Sequence, residues 1–129
     1  MLRYRLSAAA QDDVINILAW TDEQFGEAAR LRYERLIVAA LRDLATLPER
    51  PGSIARPELG AGVRTWHLRL SRAHVAPGPI VQRPRHFLVY RNEPALLVVG
   101  RVLHDAMELQ RHVDPGSSWE SSEEAPAGP

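Results

Sequence analysis

The first half of the chain carries its apolar residues at helical spacing, and the second half carries them in alternation. Val14, Ile17, Leu18 and Thr21 fall on one stripe, which predicts an amphipathic helix over residues 8–24. Ser7 stands where a cap is needed, and Asp12 and Asp13 lie near the positive end of the helix dipole. Phe25-Gly26 breaks the pattern. A second stripe, Tyr33, Leu36, Ile37, Ala40, Leu41, Leu44 and Leu47, predicts a helix from Glu27 to Leu47 that Pro48 stops. So short a connection between two helices implies an antiparallel hairpin.

Leu2 to Leu6 reads as a short strand ahead of that hairpin. The prolines and glycines between Pro48 and Gly62 predict a loop. Val63 to Leu70 then alternates, with Trp66, Leu68 and Leu70 on one face and Thr65, His67 and Arg69 on the other, as a half-buried strand does. Residues 71–85 form a long basic loop. His86 to Arg91 and Ala95 to Leu103 make a hairpin about Asn92-Glu93-Pro94. The expected order is β-α-α-β-β-β: an α+β fold in which a helical hairpin packs on one face of a small, mostly antiparallel sheet. Leu96, Val98 and Val102 point one way from the last strand and Leu97, Val99 and Leu103 the other, so both its faces need cover. The hairpin covers one. The other falls to a short helix within residues 105–113 or to a partner chain.

Composition narrows the function classes. At 129 residues, with 45% hydrophobic and 25% charged side chains, the chain suits one globular domain. It has no apolar run of membrane-spanning length, and its first residues lack the apolar block of a signal peptide, so a cytoplasmic address is expected. Without cysteine there is no disulfide framework or thiolate metal site, and His67, His74, His86 and His112 lack zinc-ligand spacing; neither metal nor cofactor is expected. The formal net charge of zero conceals an asymmetry. Residues 1–113 hold all sixteen arginines against twelve acids, whereas residues 114–129 hold four acids and no arginine. The first span is expected to be the folded domain and the second an acidic, disordered tail. Between Arg50 and Arg91 eight arginines face the single acid Glu58, a cationic patch suited to an acidic surface.

Three phrases carry a family resemblance: Gly62-Val-Arg-Thr-Trp-His-Leu-Arg, Arg83-Pro-Arg-His-Phe-Leu-Val-Tyr-Arg, and Arg101-Val-Leu-His-Asp-Ala-Met-Glu-Leu. With Ala10-Gln-Asp-Asp-Val, Phe25-Gly-Glu-Ala and Tyr33 in the helical half, they resemble ParE-type toxins of the RelE/ParE toxin–antitoxin superfamily over residues 1–113. The resemblance implies a toxin that inhibits DNA gyrase by binding it and is neutralised by a ParD-like antitoxin. The alternatives are a RelE-like ribosome-dependent mRNA endonuclease and a non-toxic binding module that keeps the fold, since fold alone does not fix function.

The candidate residues follow from the patch and the resemblance. Partner contact is expected from Trp20, which lies off the main stripe of its helix, and from Arg64, His67, Arg69, Arg85, Arg91, Arg101 and His104. A binding toxin has no catalytic residue. An endonuclease would draw on Arg64, Arg85, Arg101 and His104 for phosphate charge and proton transfer, with Glu58 as the acid near the patch. The Lys-free sequence opposes a RelE-type site that relies on lysines. No motif for direct, sequence-specific nucleic-acid binding is present, and no membrane partner is expected.

Overall fold

Ser7 begins the first helix as a true cap: its Oγ accepts from the Ala10 amide at 3.1 Å. The computed structural model describes residues 1–75, 77–107, 112–113 and 116–120. Strand β1 (Arg3–Leu6) leads into helix α1 (Ala8–Phe25), Gly26 turns the chain, and helix α2 (Glu27–Thr46) returns. Gly26 sits at φ 92°, a left-handed conformation that glycine adopts without penalty. Three more strands follow the two-residue β2 (Ile54–Ala55): β3 (Val63–His67), β4 (His86–Glu93) and β5 (Leu96–His104). The sheet order is β1-β5-β4-β3-β2, parallel between β1 and β5 and antiparallel elsewhere.

The hairpin packs its stripe, with Leu36, Ala40 and Leu44 fully buried, against Trp66, Leu88, Tyr90, Leu97, Val99 and Val102 on one face of the sheet. The far face has a smaller core of its own. Phe87, Val89, Val98 and Leu103 from the sheet meet Leu59 from a 3-10 turn, Val63, and Val113 and Trp119 from the C-terminal end. The chain therefore covers the far face itself.

Four sequence expectations change, the first being that the loop expected between Pro48 and Gly62 contributes β2, a fifth strand at the sheet edge. Val102 faces the helices and Leu103 the far side, the reverse of simple alternation, because Arg101 pairs with Val89 and Val99 with Tyr90, leaving Gly100 between them as a bulge. The strand expected to reach Leu70 ends at His67, since Leu68–His74 winds into a 3-10 helix. Its Ser71 accepts from Trp66 Nε1 at 2.9 Å and donates to Asp43 on α2 at 2.6 Å. Residues 116–120, assigned to a disordered tail, are ordered: Trp119 is a large apolar side chain, and it is 6% exposed in the far core. Residues 114–115 and 121–129 of that tail lie outside the described residues, as do residues 108–111 of the expected short helix.

Beyond Val99 the strand β1 no longer accompanies β5, and α1 takes its place along that edge. Asp13 accepts the Val102 amide at 2.9 Å and binds Arg101 with both carboxylate oxygens, at 2.7 and 2.9 Å. Among the described residues no helix is long and apolar enough to cross a membrane.

Candidate partner-binding groove

The tip of the helical hairpin stands away from the segment Ile80–Arg85 and the ends of β4 and β5. The gap is a groove of about 740 Å³, walled by Ile17, Trp20, Phe25, Ile80, Val81 and Met107. Its apolar side chains are unusually bare: Phe25 is 68% exposed, Trp20 54%, Met107 44% and Ile80 42%. Trp20 and Phe25 meet edge to face with centroids 5.7 Å apart, an aromatic pair at the hairpin tip. Arg32, Arg83 and Arg85 line the same groove. Monomers seldom leave so continuous an apolar surface in water, and an arginine rim selects an acidic occupant.

The floor is polar and tightly organised. The Tyr33 hydroxyl on α2 shares a hydrogen bond of 2.5 Å with His86 Nδ1 and accepts the Arg85 amide at 3.3 Å. Burial pushes the Tyr33 hydroxyl up to about 12. Burial, aided by nearby His104, pushes His86 down to about 4, so its imidazole is neutral around pH 7. His104 meets His86 edge to face at 5.3 Å and accepts the Ala106 amide on Nδ1 at 3.1 Å. Behind it, Asp105 takes Arg85 Nε on one oxygen and His67 Nε2 on the other, each at 3.2 Å. Burial alone would raise the Asp105 carboxyl, but these two bonds and the Arg85 charge hold it below the ordinary range. His67 is lowered chiefly by burial, with the Asp105 bond opposing. The Asp105 carboxylate thus links the ends of β3, β4 and β5.

The sequence profile of the ParE toxin of type II toxin-antitoxin system, parDE, matches residues 4–109. The chain belongs to the ParE toxin family. A comparison with curated protein sequences finds no significant match. Among solved structures, the ParE chain is similar to one from the "Chromosomal ParDE TA system from P. aeruginosa", with a TM-score of 0.58 at 17% identity. That likeness covers 81% of this chain and 96% of the other, and at such identity it speaks for the fold.

The structure distributes the ParE toxin's expected site residues over three places. Trp20, Arg85 and His104 line the groove. His67 and Arg69 line a polar cleft of about 240 Å³ on the other side of Asp105, with Arg56 and Thr65. Arg64, Arg91 and Arg101 are held within the fold. Arg64 donates to Ser53 Oγ at 2.7 Å and lies 3.6 Å from Glu49. Arg91 pairs with Glu93 at 3.1 Å and lies over the Trp119 ring at 4.6 Å. Arg101 is engaged by Asp13, whose hydrogen bonds raise its pKa above the ordinary arginine value, and by the His112 carbonyl. Glu58 is exposed on its own 3-10 turn, away from the groove lining. The endonuclease set, Arg64, Arg85, Arg101, His104 and Glu58, is thus not gathered at one point. Of the eight patch arginines, Arg69 and Arg83 have exposed side chains without a hydrogen bond or ion pair among the described residues.

Sequence reasoning missed Phe25, Ile80 and Met107, because each lay at an element boundary or in a loop. Phe25 had a legible signal: a large aromatic one residue before the helix-breaking glycine has no stripe to join.

Proposed function

We propose that this ParE toxin acts by binding, as an inhibitor of DNA gyrase, and that a ParD-like antitoxin neutralises it by laying an acidic amphipathic segment in the hairpin-tip groove. The observation that carries the reading is the groove itself, with four bare apolar side chains under an arginine rim. A segment that brings apolar anchors to Trp20 and Phe25, and carboxylates to Arg83 and Arg85, matches both features.

The endonuclease alternative receives less support. Arg64 and Arg101 make close internal bonds, at 2.7 Å to Ser53 and 2.7 Å to Asp13, that leave them poorly placed to meet a phosphate. His86, in the groove floor, is already hydrogen-bonded to the Tyr33 hydroxyl.

The test uses purified protein with gyrase and, separately, with translating ribosomes. The reading expects blocked supercoiling and intact ribosome-bound mRNA. Cut mRNA with normal supercoiling would reverse the assignment, and harmless expression without any antitoxin would favour a non-toxic binding module. Neutralisation is tested by co-expressing the ribbon-helix-helix protein of an adjacent reading frame, where one exists, with the wild type and with Trp20→Ala.

A further inference from the structure

The most specific packing outside the groove lies at the C-terminal end, beyond residue 109 where the family match stops. Trp119 sits over the bulge at Gly100, where a Cβ would stand 2.6 Å from the indole ring. Only a residue without a side chain leaves room for that ring. The carbonyl of the next residue, Glu120, accepts the Ala8 amide at 2.7 Å. That amide is one of the first-turn donors that α1 cannot satisfy from within. Ser7, the cap of the same helix, donates its hydroxyl to the Gly100 carbonyl at 2.7 Å. Arg101, beside the bulge, holds Asp13 of α1 with one side of its guanidinium and the His112 carbonyl with the other. Bulge, C-terminal strap and the first turns of α1 therefore form one knot. The same helix continues to Ile17, Trp20 and Phe25, which wall the groove.

We propose that Gly116–Glu120 is a latch: closed, it clamps the start of α1 to the Gly100 bulge and so fixes the groove wall; open, it leaves α1 tied by Ser7 and Asp13 and the groove loosened. The latch engages through the Trp119 indole, which also meets the Arg91 guanidinium of β4, a short turn and a backbone hydrogen bond, none of them a rung of the strand ladder. It can therefore open by local unfolding while β3, β4 and β5 stay paired. Its effect on partner binding rests on the groove being the partner site, whereas the clamp itself does not.

Hydrogen–deuterium exchange on the full-length free protein tests it, with Trp119→Ala, the milder Trp119→Phe, and Gly100→Ala. The first two shrink the indole, and the third keeps it but fills its notch. The latch predicts that uptake in residues 8–21 and 101–103 rises about tenfold more than in β3 and β4 for Trp119→Ala and Gly100→Ala, and by a smaller margin in the same places for Trp119→Phe. An even rise across both helices and the sheet would mark Trp119 as ordinary core. A rise confined to residues 116–120, or none, would show that nothing passes from the strap to α1. Because no partner is present in this experiment, failure of an antitoxin to dock in the wild-type groove would count against the proposed function and leave the clamp standing.

Discussion

Asp13 and Arg101 form a two-pronged ion pair across 88 positions of sequence, with the carboxylate also holding the Val102 amide. The side chains are 15% and 22% exposed, so solvent screens the pair only in part. Breaking a largely buried pair strands the remaining charge, and Arg101→Ala is expected to cost about 2–3 kcal/mol, somewhat less than a fully buried case. Asp13→Ala should cost at least as much, because it also orphans a backbone donor. Denaturant midpoints of both variants and of the double variant measure the coupling. Additive losses would show that the two residues act independently.

Removing residues 114–129 is expected to destabilise the domain. The truncation deletes Trp119 and uncovers Val89, Val98 and Leu103. Loss of a buried tryptophan typically costs about 3–5 kcal/mol. A melting temperature equal to that of the full chain would show that the strap adds nothing to the far core.

Trp20→Ala should separate binding from stability. The side chain is 54% exposed, so the change alters folding by less than about 1 kcal/mol. An aromatic anchor lost from an interface centre costs about 2 kcal/mol or more, roughly a thirtyfold loss of affinity for the neutralising partner. Arg85→Ala, whose partner Asp105 is itself near solvent, should leave the melt nearly unchanged while slowing association. Unaltered affinity in both variants would move the partner away from this groove.

His86 gives the protein an acid-sensitive window. Its folded pKa of about 4 lies below the ordinary histidine value of 6.5, so the unfolded chain binds the proton more readily between those two. Stability from this group is fully present above about pH 6.5 and is lost as pH falls toward 4. The loss amounts to roughly 3 kcal/mol. Asp105, whose pKa is lowered, works in the same direction at more acid pH. Denaturation midpoints from pH 7 to 4 should fall more steeply for the wild type than for His86→Gln. Parallel slopes would mean that another group supplies the effect.

The two helices, their stripes, the cap at Ser7 and the β4–β5 hairpin were legible because each rests on local periodicity or a local hydrogen bond. The bulge was not: Gly100 within an apolar strand signals either a bulge or a close approach, and here it is both. Alternation alone therefore misplaced Val102 and Leu103. The 3-10 helix after His67 depends on Asp43, 28 residues from Ser71, and no window of sequence shows that bond. The tail's composition suggested disorder because its average is polar, yet one tryptophan with a glycine notch outweighs that average. For the groove, Trp20, Arg85 and His104 were singled out by type. Their neighbours Phe25, Ile80 and Met107 come together only through the turn at Gly26 and the return of the 80–85 segment.

The stretch of β5 beyond β1 has a consequence for how other chains can approach. An open strand border invites a foreign strand to extend the ladder, and here the border is closed by a carboxylate seated on the Val102 amide. Docking by strand addition is blocked along that margin. A visiting protein must therefore read this toxin there by shape and charge rather than by sharing its backbone.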